Sequence, residues 1–226
     1  MYQSVIILLT KYAKQVDLRS FFFYNKTNPK KKRGIILSKT LKTRDMILIS
    51  LFAALTAVGA FIKIPTPTVP FTLQFLFCTY AGLFLGAKHG LYSQLLYLCI
   101  GLIGIPIFTS GGGPAYLFQP TFGYLIGFAF CSYVVGKSVD LSKEIKFRNI
   151  LAAILLGLTF VYVFGIIHLY LILNFYLSKE VSFMQTLWIG FLPYITFDVL
   201  QSIFIAFTVL KIIPILRNAG YLTQSK

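Results

Sequence analysis

Six runs of apolar residues follow a polar, basic stretch of about 45 residues. They cover about 46–62, 71–87, 90–108, 119–136, 150–177 and 187–213. A membrane-spanning helix needs about 20 predominantly apolar residues, so each run has roughly the length of one span. Strong breakers interrupt two of the connections. Pro65-Thr66-Pro67-Thr68-Val69-Pro70 follows the first run, and Ser110-Gly111-Gly112-Gly113-Pro114 follows the third. Neither can continue a helix. The pattern predicts an all-α protein, an integral membrane bundle of six transmembrane helices. Residues 46–213 form the membrane domain, 1–45 a basic N-terminal extension and 214–226 a C-terminal tail.

Composition agrees. The 226 residues are 57% hydrophobic and 12% charged, against about 45–50% and about 25% in soluble domains. This excludes a disordered chain, a coiled coil, a secreted disulfide scaffold and most soluble enzymes. The net charge of +15 arises because Asp and Glu number only 6, so it does not point to nucleic acid. Basic residues instead set the topology. Of the 21 Lys and Arg, only Lys63 and Lys179 lie on one side of the predicted membrane. By the positive-inside rule the other side is cytoplasmic. Both termini are then cytoplasmic in a multi-pass protein of the inner membrane, and the Pro-rich loop, the Gly-rich loop and 178–185 face outward. The run Lys30-Lys31-Lys32-Arg33 reads as a solvated anchor beside anionic headgroups, with Phe21-Phe22-Phe23-Tyr24 dipping into the interface. Val5 to Leu9 is too short for the apolar core of a signal peptide.

Asp198 is the sole acidic residue inside a predicted span. A carboxylate at a helix centre costs about 2.5–3.5 kcal/mol to insert, so it should face protein or a wet cavity. Tyr194, four residues earlier, and Gln201, three residues later, share its helix face. The three offer a neutral polar ligand an acceptor, an amide and a phenol; the bland alternative is a structural hydrogen bond between helices. His168 reads as a packed hydrogen bonder and His89 as a surface residue in a cytoplasmic turn. Cys78, Cys99 and Cys131 read as small buried hydrophobes. No metal site is expected. Nucleotide-binding, metalloprotease and serine-hydrolase motifs are missing from the sequence. No catalytic residue is therefore expected. Ala53, Ala57 and Ala60 share one face of the first helix and allow close approach of another helix, either a partner's or one of the bundle's own.

Ile64-Pro65 through Val69-Pro70-Phe71-Thr72-Leu73-Gln74 resembles the first-loop signature of the BioY family, the biotin-specific substrate-binding (S) components of energy-coupling-factor transporters. Ala81-Gly82-Leu83-Phe84-Leu85-Gly86 is similar to that family's second-helix segment. Tyr97-Leu98 through Gly101-Leu102-Ile103-Gly104-Ile105-Pro106-Ile107-Phe108 is similar to the next one. Gly111-Gly112-Gly113 and Pro120-Thr121-Phe122-Gly123-Tyr124-Leu125-Ile126-Gly127-Phe128 complete the series. The resemblance covers about residues 45–215. It implies capture of biotin from outside, then docking on a transmembrane coupling subunit with two cytoplasmic ATPases, which use the ATP. No cofactor is implied for this chain.

The family's sixth helix carries Pro, then Asp, then Lys three residues on. Pro193 and Asp198 match, but Gln201 stands at the Lys position and offers a neutral donor instead. Asp198 is implied to accept a ureido N–H of the vitamin, with Gln201, Tyr194, Gln74 and Tyr124 serving its other polar atoms. Gly112 and Tyr116 of the Gly-rich loop join these candidates. The Pro-rich loop suits a lid, and Ala53, Ala57 and Ala60 are implied to touch the coupling subunit. Two rivals stand beside this reading: an S component for another vitamin, and a membrane adaptor without transport. The topology predicts that a membrane-impermeant reagent applied to whole cells labels Thr66→Cys and spares Ser142→Cys; the reverse pattern would invert the orientation.

Overall fold

The computed structural model describes residues 41–66, 68–141 and 146–218. The expected basic extension, apart from its last five residues, and the end of the tail lie outside the described residues. Within them the chain forms six α-helices and one short β-hairpin. These are α1 (Thr43–Phe61), β1 (Lys63–Ile64), β2 (Phe71–Thr72), α2 (Gln74–Leu102), α3 (Phe122–Leu141), α4 (Phe147–Leu171), α5 (Phe183–Gly190) and α6 (Leu192–Asn218). A 3₁₀ turn covers Pro114–Phe118, and a π turn extends α4 over Ile172–Tyr176. Four helices are long and apolar enough to cross a membrane: α1, α3, α4 with its π turn, and α6.

The second and third predicted runs fall in one element, α2, which doubles back at Gly86. Gly86 has φ 78° and ψ 175°, a region of backbone space that is essentially glycine's alone. The arms 74–85 and 87–102 then lie side by side. A Cβ at Gly90 would sit 2.9 Å from the Gly82 Cα, and a Cβ at Gly82 only 2.3 Å from the Ser132 carbonyl oxygen of α3. A hydrogen atom in place of a side chain is what lets three helical segments meet here. Gln74 and Tyr97, one on each arm, are joined by a 2.8 Å hydrogen bond. The arms pack between α1 and α3, and α3 packs on α4.

The predicted sixth run is two elements. Ser182 caps α5 by accepting from the Gln185 N–H, while the Gln185 side chain accepts from the Ser182 N–H. This capping box starts a short helix that ends at Gly190, before α6 begins. Helix α6 continues to Asn218 through Pro214, so the predicted tail boundary at 214 falls inside it.

Ala53 and Ala60 are 4% and 0% exposed, and Ala57 is half-buried against the core. Their small side chains are used for packing inside the bundle, and the outward face of α1 carries Ile47, Leu51, Val58 and Phe61 instead.

Replacing Gly86 with Val forces a β-branched residue into this backbone, at a cost of about 1–3 kcal/mol. The melting temperature in detergent should fall by roughly 5 °C; an unchanged value would show that the reversal does not depend on glycine.

Candidate functional site

The Pro-rich segment folds as an antiparallel hairpin, with Lys63 opposite Thr72 and Ile64 opposite Phe71. It closes over one end of the bundle. Three contacts hold it there. Phe71 packs on Tyr194 with ring centroids 4.5 Å apart and edge-on to Phe197 at 5.5 Å. The Thr66 and Tyr194 hydroxyls are 3.1 Å apart. Lys63 Nζ donates to the Thr109 carbonyl of the Gly-rich loop. The hairpin thus bridges α6 and the Gly-rich loop.

Beneath it lies a small cavity of about 60 Å³. Val69, Pro70, Phe71 and Thr72 of the hairpin form one wall, Tyr124, Leu125 and Phe128 of α3 another, and Val161 and Tyr162 of α4 a third. Tyr194 and Asp198 line it from α6, and Gln74 from the start of α2. The lining is mostly aromatic and aliphatic, with a few convergent polar groups. Tyr162 donates its hydroxyl hydrogen to Asp198 Oδ2. A charge-assisted bond of this kind is worth about 1.5–3 kcal/mol and offsets part of the cost of burying the carboxylate. A carboxylate has about four acceptor sites, so this bond leaves room for donors from a ligand.

The structure brings Asp198, Tyr194, Gln74 and Tyr124 together on this cavity, as lining residues. Tyr124 contributes its ring, since its hydroxyl donates to the Gly190 carbonyl at 2.8 Å. Gln74 Nε2 donates to the Tyr97 hydroxyl, which in turn donates to the Ile107 carbonyl at 3.1 Å. This ties the hairpin base to the Gly-rich loop. Tyr116 stands one step behind the wall. Its hydroxyl lies 2.8 Å from Thr109 Oγ1 and 3.0 Å from Thr121 Oγ1, and both threonines line the cavity.

Gln201 and Gly112 are not among the lining residues. Gln201 Nε2 makes a long 3.4 Å contact to the Thr72 carbonyl, and its Oε1 is buried without a hydrogen-bond partner. Gly112 packs against α2: a Cβ there would meet the Ile105 and Gly101 carbonyl oxygens at 2.3 and 2.9 Å. His168 contacts the Gln119 carbonyl at 3.2 Å and packs edge-on to Phe122, which is a structural role. Cys78 and Cys131 are buried free thiols, and Cys99 is an exposed one. Among the described residues no His, Cys, Asp and Glu cluster could hold a metal ion.

Sequence reasoning missed Tyr162, Phe128 and Phe71. A signal existed for Tyr162, because a buried phenol in an apolar run needs a partner and Asp198 needs a donor. Only the fold shows that the two meet, 36 residues apart.

Three comparisons bear on the site. The model of the BioY family matches residues 30–218. A protein of Lysinibacillus sphaericus described as a probable biotin transporter BioY is 42% identical over 181 residues, covering 80% of this chain and 92% of its own length. The biotin transporter BioY of Thermotoga maritima is 34% identical over 170 residues, covering 75% and 95%. Among solved structures, the S-component for biotin from an ECF-type ABC transporter aligns with a TM-score of 0.63 at 26% identity, over 75% of this chain and 90% of that one.

Tyr194→Phe removes the hydroxyl that meets Thr66, a bond worth about 1 kcal/mol. The amides of 69–73 should then exchange with solvent roughly fivefold faster. Equal rates would mean that Phe71 packing alone holds the hairpin closed.

Proposed function

The chain belongs to the BioY family, and on that premise we propose that it captures biotin in the cavity under the hairpin. It serves biotin uptake across the membrane as the S component of an energy-coupling-factor transporter. The observation that carries the site assignment is the Asp198 carboxylate, set in an apolar cavity with one donor already in place from Tyr162. Biotin has a ureido ring with two N–H donors and a carbonyl, an apolar thiolane and valeryl chain, and a carboxylate. A ureido N–H donates to Asp198. The Tyr194 hydroxyl, shared with Thr66, serves the ureido carbonyl. Phe71, Phe128 and the Tyr124 ring cover the fused rings.

Binding and closure are then one event. The hairpin supplies four lining residues, so the cavity is complete only when the hairpin is down. Ring burial and the bond to Asp198 favour the closed state, and the fixed φ angles of Pro65 and Pro70 lower the entropy lost on closing. In this proposal the cavity end of the bundle faces outward and both termini lie in the cytoplasm. A transmembrane coupling subunit and two ATPase subunits drive release to the inside, and ATP is hydrolysed there rather than by this chain. Gln201, buried beside Thr72, steadies the hairpin base in place of a charged ligand contact.

The test is a calorimetric titration of biotin into the purified protein in detergent, with other vitamins as controls. Wild type should bind biotin selectively at one site. Asp198→Asn should bind at least tenfold more weakly, as expected for loss of a charge-assisted bond. Selective binding of another vitamin would replace biotin as the ligand, and unchanged affinity in Asp198→Asn would remove Asp198 from the site.

A further inference from the structure

A second cavity of about 300 Å³ lies at the same end of the molecule, and Lys63 and Lys179 both line it. These are the two basic residues that the charge pattern sets apart from all the others. The remaining walls come from the hairpin (Pro65, Thr66, Thr68, Pro70), the Gly-rich loop and its continuation (Ser110, Gln119, Pro120, Thr121) and the end of α4. Pro70 and Thr121 line this cavity and the inner one alike. Thr66, on its wall, bonds to Tyr194, on the wall of the inner cavity. The two cavities are therefore neighbours across a thin seam, one mostly apolar and holding a carboxylate, the other polar and holding two cations.

The local backbone around Lys179 is irregular. Ser178 and Glu180, on either side of it, are the two non-glycine residues with positive φ among the described residues, at 49° and 47°. They follow the π turn that ends α4, and the Lys179 N–H caps that turn by donating to the Leu173 carbonyl. Left-handed conformations outside glycine cost free energy and cluster where a side chain has to be aimed. Here they frame the lysine that reaches the cavity, while the neighbouring Glu180 is exposed and does not line it. Lys63 is placed by β1 and by its bond to the Thr109 carbonyl, which occupies one of its three N–H donors.

We propose that this outer cavity is the subsite for the carboxylate end of the ligand, with Lys63 and Lys179 as its cationic walls. The proposal rests on the biotin reading above and extends it to the other end of the molecule. With the ureido ring at Asp198, the valeryl chain crosses the seam at Pro70 and Thr121, and the carboxylate enters the lysine-lined space. Ser110 and Thr68 add hydroxyl donors there. Charge is thus read with opposite sign at the two ends: an acceptor for N–H groups inside, cations for an anion outside. Such a pair of subsites orients the ligand and selects against a neutral tail. It also draws anions to the mouth of the site in a salt-dependent way.

The experiment compares biotin with its neutral methyl ester by calorimetry at low salt, on wild type, Lys179→Gln and Lys63→Gln. Wild type should bind biotin roughly tenfold more tightly than the ester, as for a charge-assisted contact. Lys179→Gln should bring that ratio close to one while ester affinity stays unchanged, which also shows that the variant is folded. Lys63→Gln should reduce the ratio in the same direction. Added salt should shrink the wild-type ratio and leave the variants' ratios flat. If wild type binds both compounds and the ratio is the same in all three proteins, the outer cavity is not the carboxylate subsite, although the biotin reading stands. If wild type binds neither compound, the biotin reading falls and this proposal with it.

Discussion

A single carboxylate placed among apolar helices sets the terms for the rest of this structure. Buried alone, Asp198 would cost several kcal/mol. It is tolerated because the Tyr162 hydroxyl reaches it from α4 and because a cavity, rather than a packed side chain, lies on its other side. Tyr162 is itself fixed by edge-on packing against Phe191 at 4.7 Å and Tyr124 at 6.4 Å. Those rings come from α3 and the α5–α6 junction, so the bond to Asp198 depends on three elements arriving in register. A polar group that is only partly satisfied by the protein is costly at rest and becomes fully satisfied when a donor-bearing ligand arrives. Part of the binding free energy therefore comes from relieving a cost the fold already carries.

The second constraint is closeness of approach. Helices in lipid gain little from hiding apolar surface, so they associate through packing and through small residues at the contacts. Gly127 would place a Cβ 2.6 Å from the Val161 Cα, and Gly157 would place one 2.5 Å from Val135 Cγ2. A Cβ at Gly165 would fall 2.4 Å from the Tyr124 ring. Glycines thus bring α3 and α4 close enough for Tyr124 and Tyr162 to share one cavity. The same logic places Ala53 and Ala60 inside the bundle. A stripe of small residues marks a close contact, and the pattern alone does not say whose helix makes it.

Much of the fold was legible because its signals are local. Long apolar runs and the Pro- and Gly-rich breakers marked the helices and the loops between them. The reversal at Gly86 was legible only as a gap between two runs, since a glycine with positive φ leaves no periodic trace. The split between α5 and α6 was missed because both are apolar; Gly190 at the end of α5 and Pro193 in the first turn of α6 were the readable signs. At the site, Asp198 stood out by its rarity, and Tyr194 by its spacing from Asp198 on one helix. Tyr162 and Phe128 were lost among many aromatics, because their role comes from contacts between helices distant in sequence. Gln201 shared the face of Asp198 in the sequence, yet sits a turn away beside Thr72. Gly112, a candidate on the Gly-rich loop, packs closely against the Ile105 and Gly101 carbonyls.

The central claim is that the cavity roofed by the 63–72 hairpin and lined by Asp198 holds the ring end of the ligand. A structure of the full chain solved with biotin bound tests it most directly. The account predicts density for the ureido ring within hydrogen-bond reach of Asp198, rings covered by Phe71 and Phe128, and the carboxylate beside Lys63 and Lys179. Biotin found elsewhere, for instance in the apolar groove between α4 and α6 lined by Leu158, Ile166 and Ile195, with the hairpin cavity empty, would contradict it.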